Sequence, residues 1–300
     1  MKVLFPSEPF SPKEVDSSFK SEYEAAKLVG FTPYLFDHDE FVRNGNFKTN
    51  LGPTSSTEDN ILLLRGWMLK EEQYKSLYDK LHGYGYNLGN TPEQYLNCHH
   101  FPESYKHINE HTSKVWWSNT WSEHPYANGE EMFWEPVRRM LGDIIIKDYV
   151  KSEKGNPDLF ILNKELTNEE FSSRVERFIE ARGKLFNKGL VFKSVEKLKK
   201  YQEQTNEWRM FFLNHKLVIC NQNSDNPVSV TAPSSQTIEL FESLAKNIES
   251  NFFTMDIAEK EDGSWMILEL GDGQVSGLPL MSDAIGFYNN FNNIIKEIEV

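Results

Sequence analysis

Acidic residues are concentrated in the segment TMDIAEKEDGSWMILELGDG. Asp256 lies on a predicted strand, and Glu269 lies on the strand that follows. A turn at Asp262 and Gly263 joins the two strands, so pairing them brings Asp256 and Glu269 toward one end of a hairpin. With Asp272 three residues further on, the carboxylates need a nearby cation, and hard oxygen ligands suit Mg²⁺. The segment predicts a magnesium site, the alternative being a solvated hairpin with ordinary surface acids.

Lysines follow an apolar strand in the segment DIIIKDYVKSEKG. Lys147 ends the strand, and Lys151 and Ser152 come in the loop that runs on to Lys154 and Gly155. A lysine at a strand end is a compact charge that can reach a phosphate, and backbone N–H groups of the loop can bind the same anion. The loop is not a Walker loop, because GxxxxGK[ST] does not occur in the chain. The alternative is a strand-end lysine that reaches out to solvent.

An arginine interrupts the apolar strand in NEWRMFFL. Strand alternation places Trp208 and Met210 on one face. It places Glu207, Arg209 and Phe211 on the other face. From a sheet face, Arg209 can bind a phosphate or carboxylate through two hydrogen bonds. The alternative is a surface pair between Arg209 and Glu207.

Other candidates carry weaker signals. Arg65 follows an apolar strand, where substrate-binding residues often lie, although it could equally be a surface arginine. Cys98, His99 and His100 are adjacent, and adjacent ligands are poorly spaced for a tetrahedral zinc site. Three tryptophans could stack on a ligand, but core packing is the better expectation for them: Trp116, Trp117 and Trp121.

Composition limits the classes of function. The 300 residues carry a net charge of −13, which argues against broad binding to nucleic acid or to anionic membrane. The chain has 2 cysteines, no signal-peptide pattern at its start and no apolar run of membrane-spanning length. We therefore expect a cytoplasmic protein with no membrane partner, in which any anion site is a local exception to the overall charge.

The elements that must position these residues follow from periodicity and turn signals. Strand, helix, strand, strand and helix over about the first 90 residues predict a small open α/β layer. Helices and strands alternate after residue 113, and two hairpins follow, with turns at Asn214 and His215 and at Asp262 and Gly263. The final segment DAIGFYNNFNNIIKEIEV predicts a helix.

The order of these signals resembles the ATP-grasp superfamily. Four signals follow one another over about residues 113–280. They are a strand that ends in lysine with a small loop, a strand with a connector, an E-x-R strand, and D…E-x-x-D on a hairpin. Upstream, RGWML…EEQY and TPEQY…CHHFPESY are similar to the clade of that superfamily named for one arginine and two lysines, in its uncharacterised branch. The resemblance implies an N-terminal α/β domain over residues 1–112. Two α+β subdomains, 113–200 and 201–300, would clasp ATP.

The resemblance also implies residue roles. Lys147 would contact the α-phosphate and the edge of adenine, Lys151 and Ser152 would lie near the phosphates, and Arg209 would steady the transferred phosphoryl group. Asp256, Glu269 and Asp272 would be the metal ligands, with Arg65 and Ser276 on the acceptor side. Adenine would hydrogen-bond to the backbone of a hinge formed by Phe192, Lys193, Ser194 and Val195. Glu196, which follows the hinge, is the acid nearest to the usual ribose-binding position.

The activity that the resemblance implies is Mg-ATP-dependent ligation of a carboxylate to an amine through an acyl phosphate. Two departures stand out, since Asp272 replaces a frequent asparagine and the glycine-rich phosphate loop is reduced to residues 152–155. A kinase or nucleotidyl-transferring enzyme with the same cleft, and a catalytically weak nucleotide-binding regulator, stay open as alternatives. The two substrates could be small molecules or peptides, and the sequence does not indicate an oligomeric state.

Overall fold

A computed structural model describes residues 1–55, 60–118, 134–153, 156–224 and 228–298. In chain order, the strands are β1 Lys2–Glu8, β2 Ser11–Val15, β3 Thr32–Phe36, β4 Ile61–Leu64, β5 Asn87–Leu88, β6 Val115–Trp117, β7 Ile144–Asp148, β8 Ile161–Leu162, β9 Leu190–Ser194, β10 Lys200–Tyr201, β11 Gln204–Thr205, β12 Glu207–Leu213, β13 Lys216–Gln222, β14 Phe252–Glu259 and β15 Trp265–Asp272. The helices are α1 Lys20–Val29, α2 His38–Asn44, α3 Glu71–Gly83, α4 Pro92–His99, α5 Phe101–Ile108, α6 Trp134–Leu141, α7 Pro157–Phe160, α8 Asn168–Arg182, α9 Ser235–Ala245 and α10 Ala284–Ile298.

The first sheet is the predicted α/β layer. Its parallel strands lie in the order β3-β1-β4-β5, and the short β2 pairs antiparallel with the end of β1. Helix α1 ends where predicted, because Gly30 adopts a left-handed φ of 97° that closes the last turn. β2 and α2 are elements that the sequence patterns did not indicate.

Two antiparallel sheets follow. The strand order is β6-β9-β7-β8 in one and β13-β12-β14-β15 in the other. The hairpin turns lie as predicted: Asn214 and His215 both have positive φ, as a type I′ turn requires, and Gly263 has a φ of 82°. The predicted mixture of an α/β layer with α+β parts is therefore confirmed.

The hydrophobic cores join distant parts of the chain. The C-terminal helix α10 packs against α1 and β13, and its Phe287 and Phe291 share a core with Val3 and Phe5 of the first strand. A second core joins α4 and α5 to the last sheet, and a third lies within the β6–β9 sheet and its helices. The N-terminal layer and the last sheet are thus held together by shared burial of apolar surface.

No helix among the described residues is both long enough and apolar enough to cross a membrane.

Candidate active site

The two strands of the β14–β15 hairpin place Asp256 directly opposite Glu269. Near the turn, Glu259 pairs with Trp265 and Ile257 with Ile267. If this register continued along the strands, Asp256 would pair with Leu268. A bulge between Asp256 and Ile257 leaves Leu268 unmatched and shifts the pairing by one residue. Because side chains alternate along a strand, this shift moves Glu269 onto the face that carries Asp256.

Arg209 lies opposite Asp256 on the neighbouring strand β12. Its Nε donates to Oδ1 at 2.7 Å and its Nη2 to Oδ2 at 2.6 Å, which makes a two-point pair. Burial disfavours the guanidinium charge, but the carboxylate of Asp256 outweighs it and raises the pKa of Arg209. The pairing partner is therefore Asp256 rather than Glu207, the surface alternative considered from the sequence.

Two lysines from the middle sheet contact the residues at the bulge. The Nζ of Lys147, which is 5% exposed, donates to Glu269 Oε2 at 2.8 Å. From the adjacent strand β9, the Nζ of Lys193 donates to the backbone oxygen of Leu268. Both ammonium groups also lie over the ring of Phe101, at 5.3 Å and 4.2 Å from its centre. The middle and last sheets are thus joined at Leu268 and Glu269.

The loop after Lys147 is tightened by a buried aspartate. The oxygen Oδ1 of Asp148 accepts from the backbone N–H groups of Val150 and Lys151, each at 2.7 Å. Its Oδ2 accepts from Arg182 Nε at 3.0 Å. This brings the side chain of Lys151 to the wall of the cavity described next, while Ser152 is half-exposed just beyond it. Lys154 and Gly155 lie outside the described residues.

A cavity of about 230 Å³ lies between the hairpin, β12, α4 and the segment after β4. Six of the predicted site residues line it: Lys151, Arg209, Asp256, Glu269, Asp272 and Ser276. Gly271 is also on the wall, where a Cβ would lie 2.6 Å from Thr254 Oγ1 and 2.7 Å from Ser276 Oγ, so only glycine fits. Thr254 and Ser276 are themselves hydrogen-bonded at 2.9 Å.

Asp272 lies deeper than the other two carboxylates. Its Oδ2 accepts from Asn90 Nδ2 at 2.5 Å, and its Oδ1 accepts from the backbone N–H of Gln274 at 2.9 Å. Burial raises the pKa of Asp272 to about 7. Over the ranges that the structure covers, no three His, Cys, Asp or Glu side chains group closely enough to hold one ion, so the expected three-carboxylate cluster is not formed.

The interpretation of Arg65 as an acceptor-side residue does not agree with its position. Its side chain is fully buried, and its Nε and Nη2 donate to the two Glu22 oxygens at 2.8 Å and 2.9 Å. A third donor, Nη1, bonds the backbone oxygen of Gly273, and the guanidinium lies over Phe211 and Phe287. With every face occupied, Arg65 joins the N-terminal layer to the last sheet and is closed to a substrate.

The predicted adenine hinge lies outside this cavity. Phe192 is buried in the core of the middle sheet, and Lys193 turns its side chain toward Leu268. The backbone N–H of Ser194 bonds Lys114 O at 2.9 Å, and that of Val195 bonds Asp143 O at 2.8 Å. Glu196 follows, half-buried. The N–H groups of Ser194 and Val195 are therefore already engaged in this arrangement.

Trp67, Met68 and His99 are among the cavity-wall residues that were not predicted as site residues. Trp67 and Met68 are each 43% exposed and form its apolar side. His99 lines it from α4, and burial lowers its pKa to about 3, so its ring is neutral near neutral pH. The only local signal for these three residues was the composition of RGWML and CHHF. Lys193 was expected at the adenine hinge, whereas its side chain bonds Leu268.

The remaining aromatic expectation is confirmed in part. Trp116 packs against Phe192, and Trp117 packs against Tyr105, so both contact protein side chains. Trp121 lies outside the described residues.

The family comparison gives one match. A family model described as "ATP-grasp domain, R2K clade family 3" matches residues 138–291, about half of the chain. The matched span contains both lysines, the arginine and the hairpin carboxylates described above. No curated protein matches the sequence.

Solved structures share the fold over nearly the whole chain. D-cycloserine synthetase DcsG superposes with a TM-score of 0.63 at 14% identity, covering 98% of this chain and 100% of the other. D-alanyl-alanine synthetase A from Vibrio cholerae gives 0.59 at 9% identity, with 99% of each chain covered. The ATP-grasp ligase PsnB complexed with a minimal precursor gives 0.57 at 13% identity, covering 97% and 98%. At these identities the likeness establishes the ATP-grasp fold and nothing finer.

Proposed function

Because the chain belongs to the ATP-grasp superfamily, R2K clade family 3, we propose that it is a Mg-ATP-dependent ligase that joins a carboxylate to an amine through an acyl phosphate. Proteins of known structure that share its fold include D-cycloserine synthetase, D-alanyl-alanine synthetase A and an ATP-grasp ligase complexed with a precursor peptide. Small-molecule and peptide substrates both suit the proposal.

The pairing of opposite charges at the bulge is the observation that carries this proposal. Lys147 is paired with Glu269, and Arg209 with Asp256, so each cation is matched by one carboxylate. Mg-ATP supplies the same two charges separately: phosphate oxygens for Lys147 and Arg209, and a divalent cation for Asp256 and Glu269. If the two cations exchanged the carboxylates for phosphate oxygens, and the carboxylates bound the metal ion, Mg-ATP would bind without leaving a buried charge unpaired. An unpaired buried charge would be costly in free energy.

The donor chemistry fits magnesium at Asp256 and Glu269. Both are carboxylates on facing strand positions, and Mg²⁺ is commonly bound by one or two carboxylates together with phosphate oxygens and water. Asp272 would join them only after exchanging its amide partners Asn90 and Gln274. When bound, the ion would neutralise charge on the phosphates.

The other residues take the roles implied by the family. Lys151 and Ser152 would bind the phosphates, and Arg209 would align the γ-phosphoryl group as it is transferred. The adenine would lie against the hinge residues Phe192, Lys193, Ser194 and Val195, with Glu196 toward the ribose, once the N–H groups of Ser194 and Val195 exchange their present partners Lys114 and Asp143. Ser276 remains a candidate acceptor-side contact, since it lines the cavity.

The reaction transfers the γ-phosphoryl group of ATP to a substrate carboxylate, which gives ADP and an acyl phosphate. The amine then attacks the acyl carbon, the C–N bond forms, phosphate leaves and the nitrogen loses a proton. Because water would hydrolyse the acyl phosphate, the segments 113–200 and 201–300, which we propose as two subdomains after an N-terminal domain 1–112, would close over the nucleotide. The two free cysteines agree with a reducing, cytoplasmic setting.

Product analysis tests the proposal. The protein is incubated with Mg-ATP and pooled amino acids or peptides, and the mixture is analysed by mass spectrometry. Ligation gives ADP, phosphate and a condensed product smaller than the sum of its parts by one water. A phosphorylated or nucleotidylated acceptor would instead identify the kinase or nucleotidyl-transferring alternative, and no ATP turnover with any acceptor would favour a regulatory protein.

A further inference from the structure

A second and larger cavity lies away from the candidate active site. Its volume is about 860 Å³, within the range of small-molecule sites. It opens between the starts of strands β1, β4 and β5, the turn after β12, and the last turns of α10. These elements belong to the N-terminal layer and to the last part of the chain, and ligand sites commonly lie at such junctions.

The floor of this cavity is apolar and is formed by well-packed core residues. Leu63 and Phe291 are each 2% exposed, Phe252 is fully buried and Leu88 is 6% exposed. All four belong to the hydrophobic cores, so their positions are held by packing. A ligand body seated on them would bury apolar surface against a rigid base.

Among the described residues that line this cavity, the charged side chains are all of one sign. Lys2 and Lys296 line it, and its described lining includes no aspartate or glutamate. Neither lysine forms an ion pair within the part of the chain that the structure describes. The positive charge of the two lysines is opposite in sign to the net charge of the chain, which is −13. The cavity also differs from the candidate active site, where carboxylates match the cations.

A hydrogen-bonded wall separates the two cavities. Asn90 lies in this wall, and its neighbours Gly89 and Thr91 line the large cavity. Its Oδ1 accepts from the N–H groups of Asn251 and Phe252 at 3.1 Å and 2.9 Å, while its Nδ2 bonds Asp272 on the other side. The larger cavity is therefore a compartment of its own.

We propose that this cavity is a second binding site, for a small molecule that carries an anionic group on an apolar body. The buried floor receives the apolar body. Lys2 and Lys296 attract the anionic group, and amide side chains on the rim, such as Asn292, offer hydrogen bonds to it. The inference concerns residues outside the ATP cleft and does not depend on the ligase reaction.

Two matched fluorescent probes test it. The anion 8-anilinonaphthalene-1-sulfonate is titrated onto the full chain, in parallel with N-phenyl-1-naphthylamine, which is the same body without the sulfonate. We expect the sulfonate to bind at least about tenfold more tightly, because only it is attracted by the lysines. A saturating concentration of Mg-ADP should leave its affinity unchanged.

Variants locate the site. Lys2→Gln combined with Lys296→Gln should weaken binding of the sulfonate about tenfold and leave binding of the uncharged probe unchanged. Asn292→Trp should weaken binding of both probes by obstructing part of the cavity. Lys246→Gln, on an exposed residue outside the lining, is the control and should change neither. Thermal unfolding verifies that each variant is folded. Displacement of the sulfonate by Mg-ADP, or unchanged sulfonate affinity in the folded lysine or tryptophan variants, would overturn the proposal.

Discussion

The ammonium group of Lys147 lies 2.8 Å from the carboxylate of Glu269, although 122 positions of the chain separate them. Lys147 is the penultimate residue of β7 in the middle sheet, and Glu269 lies on the hairpin of the last sheet. The contact therefore reports directly on how the two sheets meet. It is also the pair that an incoming phosphate and metal ion would have to separate.

Glu269→Gln should reduce ATP turnover by about a hundredfold or more, because a neutral amide is a poor ligand for Mg²⁺ and the loss of metal stabilisation amounts to several kcal/mol. Turnover is measured as ADP release, and folding by circular dichroism. Glu261→Gln, on an exposed acid at the hairpin turn, is the matched control and should behave as wild type. Equal turnover in the two variants would remove Glu269 from the metal site.

Arg209→Lys keeps the charge but loses the two-point pair with Asp256, because an ammonium group cannot donate two parallel hydrogen bonds. We expect ATP turnover to fall about tenfold or more while the chain stays folded. Arg43→Lys, in an exposed pair with Asp39, is the control and should leave turnover unchanged. A turnover in Arg209→Lys that matches the control would show that the paired guanidinium is not required.

Lys193→Met should also reduce turnover, because it removes the ammonium group that donates to the backbone oxygen of Leu268. Without that donor, Leu268 loses a contact that holds the bulge, and Glu269 is no longer fixed on the face of Asp256. The expected signature is a higher Mg²⁺ concentration for half-maximal turnover, restored in part by Lys193→Arg. An unchanged Mg²⁺ dependence in Lys193→Met would contradict this positioning role.

Arg65→Met should lower the free energy of unfolding by about 3–5 kcal/mol, since it leaves the carboxylate of Glu22 buried without its partner. Chemical denaturation measures the change. Arg139→Met, which breaks an exposed pair with Glu135, should have little effect and serves as the control. If Arg65→Met were as stable as the control, the buried pair would not join the N-terminal layer to the last sheet as described.

The buried His100 should make the fold sensitive to acid. Burial lowers its pKa to about 4, whereas the ordinary value is 6.5, so the unfolded chain takes up a proton more readily than the folded one. The stability that neutral His100 contributes is present above pH 6.5 and is lost as the pH falls toward about 4.

His100→Gln should accordingly show a shallower loss of unfolding free energy between pH 6.5 and about 4 than wild type does. The exposed His82→Gln is the control and should follow the wild-type curve. Parallel curves for wild type and His100→Gln would show that this histidine does not carry the acid sensitivity.

The sequence alone determined the elements and the order of the chemical groups. Apolar periodicity and turn residues located the first strands, both hairpins and the C-terminal helix, because these signals act over a few neighbouring residues. The order of Lys147, Arg209, Asp256 and Glu269 along the chain was sufficient to recognise the ATP-grasp superfamily, which the family match then confirmed.

Only the tertiary structure decided how those groups meet. The bulge at Leu268 sets the face on which Glu269 stands, and Lys193 bonds to it from a different sheet, so no local pattern encodes the result. Likewise, an arginine after a strand reads the same in sequence whether it faces a ligand or a buried partner. Arg65 is closed because Glu22 and Gly273, far apart in the chain, pack around it. Long-range packing, rather than residue type, selects between such alternatives.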